Sequence, residues 1–255
     1  MLVAARRMGL GQVRAYLAAD ILRRLAERSR LAPTVIDLVP ERGDDLRAVC
    51  ADLNIHPPLH TLTPPVTADE LSGLFAGRTR DPVFDVGVRL APTEPADPAE
   101  PAVERLAGYW MDVAGSANGT QGETQRPLRE RLALGEEPLS VRMKLMGQRY
   151  GEALGDGAGT GGAGLDGADL DGEMATLARW RELVALWARS PSAPLSRRHA
   201  DALTAALAGD LDTAAALREM AALAADPDEP DGVKFETFAA ADMLLGLDLA
   251  RDVGW

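Results

Sequence analysis

The sequence predicts a parallel α/β layer followed by an all-α helical bundle. Two observations carry this. Short β-branched or apolar runs alternate with helical patterns over the first 115 residues. Beyond residue 136 the chain turns Ala-rich, with apolar residues at helical spacing and no strand pattern. The expected domains are 1–135, with a linker near 91–101, and 136–255, with a Gly-rich loop at 154–172.

Leu2–Ala5 reads as a first short strand, broken by Gly9-Leu10-Gly11. From Gln12 to Arg28, Val13, Leu17, Ile21 and Leu25 recur every four positions on one helical face. Thr34–Val39 is β-branched and bounded by Pro33 and Pro40, which predicts a strand. Asp44–Leu53 reads as a helix. Thr67-Ala68-Asp69-Glu70 is a capping-box sequence opening a helix that ends near Gly77. Pro82–Leu90 and Gly108–Gly115 read as strands. Residues 91–101 are rich in Pro and acid, as linkers are.

In the second half, Glu137–Ala153 and Glu173–Ser190 read as helices. Residues 154–172 between them hold eight glycines. Helical patterns follow at 195–208, 212–225 and 233–247, with Asp212 an expected N-cap.

Composition narrows the function. No run of about 18 apolar residues occurs, so no membrane span is expected. The N-terminus lacks a signal-peptide pattern and Cys50 is the single cysteine, which predicts a reducing, cytoplasmic location. Residues 1–30 carry seven Arg against Asp20 and Glu27, a net of +5, whereas residues 155–255 carry eight basic and eighteen acidic side chains, a net of −10. So acidic a half is a poor non-specific binder of phosphate backbones, and DNA is not an expected partner. Lysine occurs only at 144 and 234.

Few residues point to chemistry. Cys50, His56, His60 and His199 fit no zinc spacing, so neither zinc nor another metal is expected. His56 and His60 read as polar loop residues in HPPLH. Cys50 reads as a small helix-face residue without a base beside it. Adjacent on a helix, Asp44 and Asp45 share no face and read as an N-terminal charge pair. Trp180 and Trp187, seven apart, read as a core stripe. The glycine tract at 155–164 follows no strand and lacks a Lys-Ser/Thr, so it is not a P-loop. The turn Gly9-Leu10-Gly11-Gln12-Val13-Arg14 is different. It opens a helix after a strand, where backbone N–H groups and the helix dipole can face an anion. Gly9, Gly11, Gln12 and Arg14 are the candidate residues at this turn, and the resemblance described next implies a nucleotide as the anion they bind; no catalytic residue is assigned.

Five collinear segments resemble the cysteinyl-tRNA synthetase family. Gly9–Tyr16 with Ala19–Arg24 resembles its opening helix, which follows the HIGH motif. Pro82-Val83-Phe84-Asp85-Val86 is similar to its Val-Tyr-Phe-Asp-Val strand. Gly108-Tyr109-Trp110-Met111 resembles the Arg-Tyr-Trp-Met strand before its KMSKS loop. Leu139–Arg142 through Gln148–Tyr150 resembles the helix after that loop. Gly209–Thr213 looks like the Asp-Asp-Leu/Phe-Asn/Asp-Thr signature of its helical domain. The mycothiol cysteine ligase branch shares this plan. The resemblance implies a truncated Rossmann-like, class I synthetase layer, with ATP or an aminoacyl-adenylate-like compound as ligand.

The departures matter as much. Gly9, Leu10, Gly11 and Gln12 stand where the family has HIGH, so both histidines are missing. The KMSKS-like stretch, 118–125 (NGTQGETQ), has no lysine or arginine. The zinc ligands and the anticodon-reading part have no counterpart here, which leaves tRNA binding open. Loss of one preorganised donor commonly costs about 10²–10³ in rate. The expectation is a non-catalytic binding or regulatory protein. The alternatives are an altered ATP-dependent cysteine-type ligase and a structural subunit held by a partner protein.

Overall fold

The computed structural model describes residues 1–4, 10–38, 44–63, 70, 84–90, 107–114, 132, 135–153 and 170–254. The chain is mixed α/β and divides into two compact units. The first is Met1–Ala51, Ile55–Arg129 and Gly151–Leu154; the second is Asp52–Asn54, Glu130–Tyr150 and Gly155–Trp255.

The first unit is built on β1 (Leu2–Ala4), α1 (Leu10–Arg28), β2 (Ile36–Leu38), α2 (Asp44–Asp52), β3 (His60–Leu62), β4 (Phe84–Leu90) and β5 (Ala107–Val113). The strands form one parallel sheet in the order β3-β2-β1-β4-β5, an order compatible with a Rossmann-like layer. Register places Thr61, Asp37, Val3, Val88 and Met111 in one row across the sheet. Because side chains alternate along a strand, this row shares one face. Tyr16 of α1 bonds Asp37 there, so α1 covers that face. Val13, Leu17 and Ile21 are buried as their spacing predicts, and Ala15, Ala18 and Ala19 are buried with them. Their small side chains let the helix lie close to the sheet.

The next row, His60, Ile36, Leu2, Gly87 and Trp110, faces the other way. The Trp110 ring lies against Gly87: a Cβ built on Gly87 would sit 2.5 Å from Trp110 Cε3. Arg89 stacks on the same ring at 5.1 Å and pairs with Asp112 at 2.7 Å.

β3 was not expected. Pro57 and Pro58 precede it and only three residues pair, so no alternation could develop. The helix expected over Thr67–Gly77 lies outside the described residues, apart from Glu70. So does the linker at 91–101.

The second unit holds α3 (Pro138–Met146), α4 (Asp171–Trp187), α5 (Arg197–Ala208), α6 (Thr213–Ala225) and α7 (Asp231–Leu245). α3 is shorter than the Glu137–Ala153 expected. It stops at Gly147, whose N–H reaches back to the Met143 and Lys144 carbonyls. Of the Gly-rich loop, 154–169 lies outside the described residues, and Asp171 and Gly172 already belong to α4. Asp212 caps α6 by accepting from the Ala215 N–H at 2.8 Å. The core forms where Trp180 and Trp187 meet Phe238 edge-on, with ring centroids 5.6 and 5.2 Å apart.

Two buried arginines organise the end of α7. Arg142, 0% exposed, donates to the carbonyls of Leu245 (2.6 Å), Leu53 (2.9 Å) and Asn54 (3.0 Å). Arg181 donates to the carbonyls of Leu247 and Asp248 and pairs with Glu137. From the other side the Asp242 carboxylate accepts the N–H groups of Leu247 and Leu249. Gly246, at φ 66°, makes the left-handed turn that exposes these groups to their partners. No helix among the described residues is long and apolar enough to cross a membrane.

Candidate ligand site at the amino end of α1

The parallel order places a topological switch point between β1 and β4, since the chain leaves β1 toward β2 and later returns to β4. Ligands of open α/β sheets bind beyond the carboxyl ends of strands at such a point. α1, 19 residues long, starts after β1 and packs chiefly on β4. Its first turn carries no acidic residue to occupy the unpaired N–H groups.

Of the four candidate residues, Gly9 lies outside the described residues and Gly11 is half-buried. Gln12 is 2% exposed; its oxygen Oε1 is sealed from solvent and has no hydrogen-bond partner. A buried unsatisfied polar group costs about 1–3 kcal/mol, so native structures seldom keep one idle. Arg14 is also buried, but it is occupied: Nη1 donates to the Ala114 carbonyl at 3.2 Å and the Glu152 carbonyl at 2.5 Å. Burial lowers its pKa to about 10, with the Glu152 carboxylate opposing the shift. Arg14 therefore ties segments of the first unit together, and Gln12 keeps a buried oxygen without a partner.

Two arginines of the N-terminal stretch are paired within α1. Asp20 holds Arg23 at 3.1 Å and Arg24 at 2.8 Å, and Arg23 also pairs with Glu27. Both lysines are engaged inside the second unit. Lys144 meets Glu173 at 3.2 Å, and Lys234 is buried 5.5 Å over the Trp187 ring with the Ala224 carbonyl as acceptor. Residues 118–125 lie outside the described residues.

The remaining sequence candidates are structural. His56 is exposed beside Asp20 and Arg24, its pKa lowered first by burial and then by Arg23. His60 sits exposed on β3. His199, 1% exposed, donates from Nδ1 to Glu219 at 2.6 Å, with Asp226 3.5 Å from Nε2. Cys50 is buried, and burial, with Asp20 and Asp37 nearby, pushes its thiol up to about 12, away from nucleophilic use. Asp44 and Asp45 open α2. Among the described residues no three His, Cys, Asp or Glu side chains are placed to hold a metal ion.

One polar pair escaped the sequence reading. Tyr16 donates to Asp37 Oδ2 at 3.2 Å, while Oδ1 is buried without a partner. Burial raises the Asp37 pKa, against opposing contributions from Thr61, Tyr16 and Arg47, and pushes Tyr16 well above the ordinary tyrosine range. The signal was there: an aspartate inside TVIDLV, in a strand type that is normally apolar throughout.

No family model matches this sequence, and no curated protein is significantly similar to it.

Proposed function

We propose that the chain is a non-catalytic nucleotide-binding protein on a degenerate cysteinyl-tRNA synthetase plan. In this reading the sheet unit is a truncated class I synthetase layer, and the helices after residue 136 form the bundle that follows it. The observation that carries the reading is Gln12: a buried amide with an unpartnered oxygen, in the first turn of a long helix at the sheet's switch point. The N–H groups of that turn, which have no partner within the helix, and the positive end of the helix dipole suit a phosphate.

Binding without turnover follows from what the charged side chains do. Adenylation needs preorganised cations around the transferring phosphates. Arg14, Lys144 and Lys234 each satisfy partners within their own unit. The protein then serves as a sensor or regulatory subunit that holds ATP or an aminoacyl-adenylate-like ligand. The single buried cysteine suits a reducing cytoplasm.

Calorimetric titration with magnesium–ATP tests the binding half; saturable one-site binding is expected, and no heat at millimolar ligand would refute it. Cysteine-dependent ATP–pyrophosphate exchange tests the other half. Robust exchange by the purified protein would favour the ligase alternative.

A further inference from the structure

We infer that His199 is held as an imidazolium and clasps the open end of the α5–α6 hairpin by its charge, so that loss of its second ring proton loosens that end. The clasp lies wholly within the second unit and is independent of any ligand of the first. His199 stands in the first turn of α5 and is 1% exposed. A short turn joins α5 to α6, so the start of α5 lies beside the end of α6. There Nδ1 of His199 meets Glu219 Oε1 at 2.6 Å. Nε2 stands 3.5 Å from Asp226 Oδ2, near enough for an ion pair, and it is sealed from solvent with no hydrogen-bond partner.

A neutral imidazole has one N–H and one bare lone pair. Either tautomer turns that lone pair on a carboxylate: on Asp226 when Nδ1 carries the proton, on Glu219 when Nε2 does. Asp226 is poorly placed to relieve this by taking a proton. The Asp228 N–H donates to it at 2.9 Å and holds its carboxyl below the usual carboxylate range, with His199 and Arg198 acting the same way against a smaller opposing effect of burial. Only the imidazolium presents an N–H to each carboxylate. The other charged groups nearby do not replace it. Arg198 also reaches Asp226 at 3.5 Å but is itself exposed. Glu229, before α7, accepts from the Ser196 hydroxyl. On α7, Lys234 donates to the Ala224 carbonyl and Glu236 accepts from Ser192. Both helix dipoles oppose the clasp, since the cation stands at the positive end of α5 and Asp226 at the negative end of α6. Each charge is therefore kept in place by the other. The fold favours the charged ring, so the clasp is complete while the ring is charged and is lost as rising pH removes the proton.

The test uses the full chain, isotope-labelled, and Asp226→Asn. Ring-nitrogen NMR counts the protons on His199. Amide exchange at the end of α6, corrected for the intrinsic rate at each pH, reports opening of the hairpin. At neutral pH the wild-type ring should carry a proton on both nitrogens. Asp226→Asn removes the anion and supplies an amide N–H for a bare Nε2, so its ring should carry one proton, on Nδ1. In the wild type the opening constant should rise about two- to fivefold as the ring loses its second proton, and in Asp226→Asn it should stay flat over the same range. A single ring proton in the wild type, two in Asp226→Asn, or an opening constant that ignores the charge of the ring would each overturn the inference.

Discussion

The Lys144 ammonium lies 3.2 Å from the Glu173 carboxylate and joins α3 to α4. Glu173 stands in the first turn of α4, where the helix dipole also favours a negative charge. One of the chain's two lysines is thus part of the packing of the second unit. Lys144→Met should cost about 1 kcal/mol or less, since both groups keep some solvent contact. A urea titration checks this, and ATP affinity should not change. A large loss of ATP binding with unchanged stability would contradict a structural role.

Arg142 should behave differently. It is fully buried, and its guanidinium holds carbonyls from the end of α7 and from Leu53 and Asn54. Arg142→Ala leaves those carbonyls buried and unpaired and opens a cavity as well. The expected cost is about 3–5 kcal/mol, by analogy with broken buried charge networks. Chemical denaturation of the variant checks it. A change within about 0.5 kcal/mol would mean the carbonyls find other donors.

Asp37 supplies a pH signature. Burial raises its pKa in the folded protein above the unfolded value. The folded state therefore prefers the neutral carboxyl. Its contribution is most favourable below the unfolded pKa and is lost as pH rises through the folded one. Asp37→Asn should raise the melting temperature relative to wild type at neutral pH. The gain should shrink toward zero as the pH falls below about 3, where both states carry a neutral group. Thermal melts across that range check the sign. A variant less stable at neutral pH than at acid, relative to wild type, would show that Asp37 acts as a stabilising anion.

Gly87 is fixed by the indole that lies against it. Gly87→Ala places a methyl 2.5 Å from Trp110 Cε3, so the ring must move. Overpacking of this kind costs about 1–3 kcal/mol. Displacing the ring also breaks its stacking with Arg89. A change in tryptophan fluorescence together with a lower melting temperature is expected; neither change would mean that the sheet face accommodates the methyl.

Much of the architecture was legible because it rests on periodicity. Val13, Leu17 and Ile21 mark the buried side of α1 by spacing alone, and Trp180 and Trp187 announce the α4 core. Asp212 announces its own cap. β3 was not legible, because three residues behind two prolines carry no period and their pairing is decided by β2 across the sheet. The length of α3 was misread because Gly147 ends it while the helical pattern runs on in the sequence. At the candidate site, the glycine turn, Gln12 and Arg14 stand out in the sequence, but their burial does not: Arg14 is buried and bonded to two carbonyls, and Gln12 is buried with an unpartnered oxygen. Which polar groups are satisfied depends on contacts distant in sequence, such as Arg14 with Ala114 and Glu152, and no local pattern records those.

The central claim is that the protein holds a nucleotide and leaves it intact. Equilibrium dialysis with α-labelled ATP, magnesium and cysteine, followed by chromatography of the nucleotide on the protein side, tests both parts at once. The account predicts saturable retention of unchanged ATP. Retention no greater than in a protein-free control, or conversion of the retained label to AMP, would contradict it.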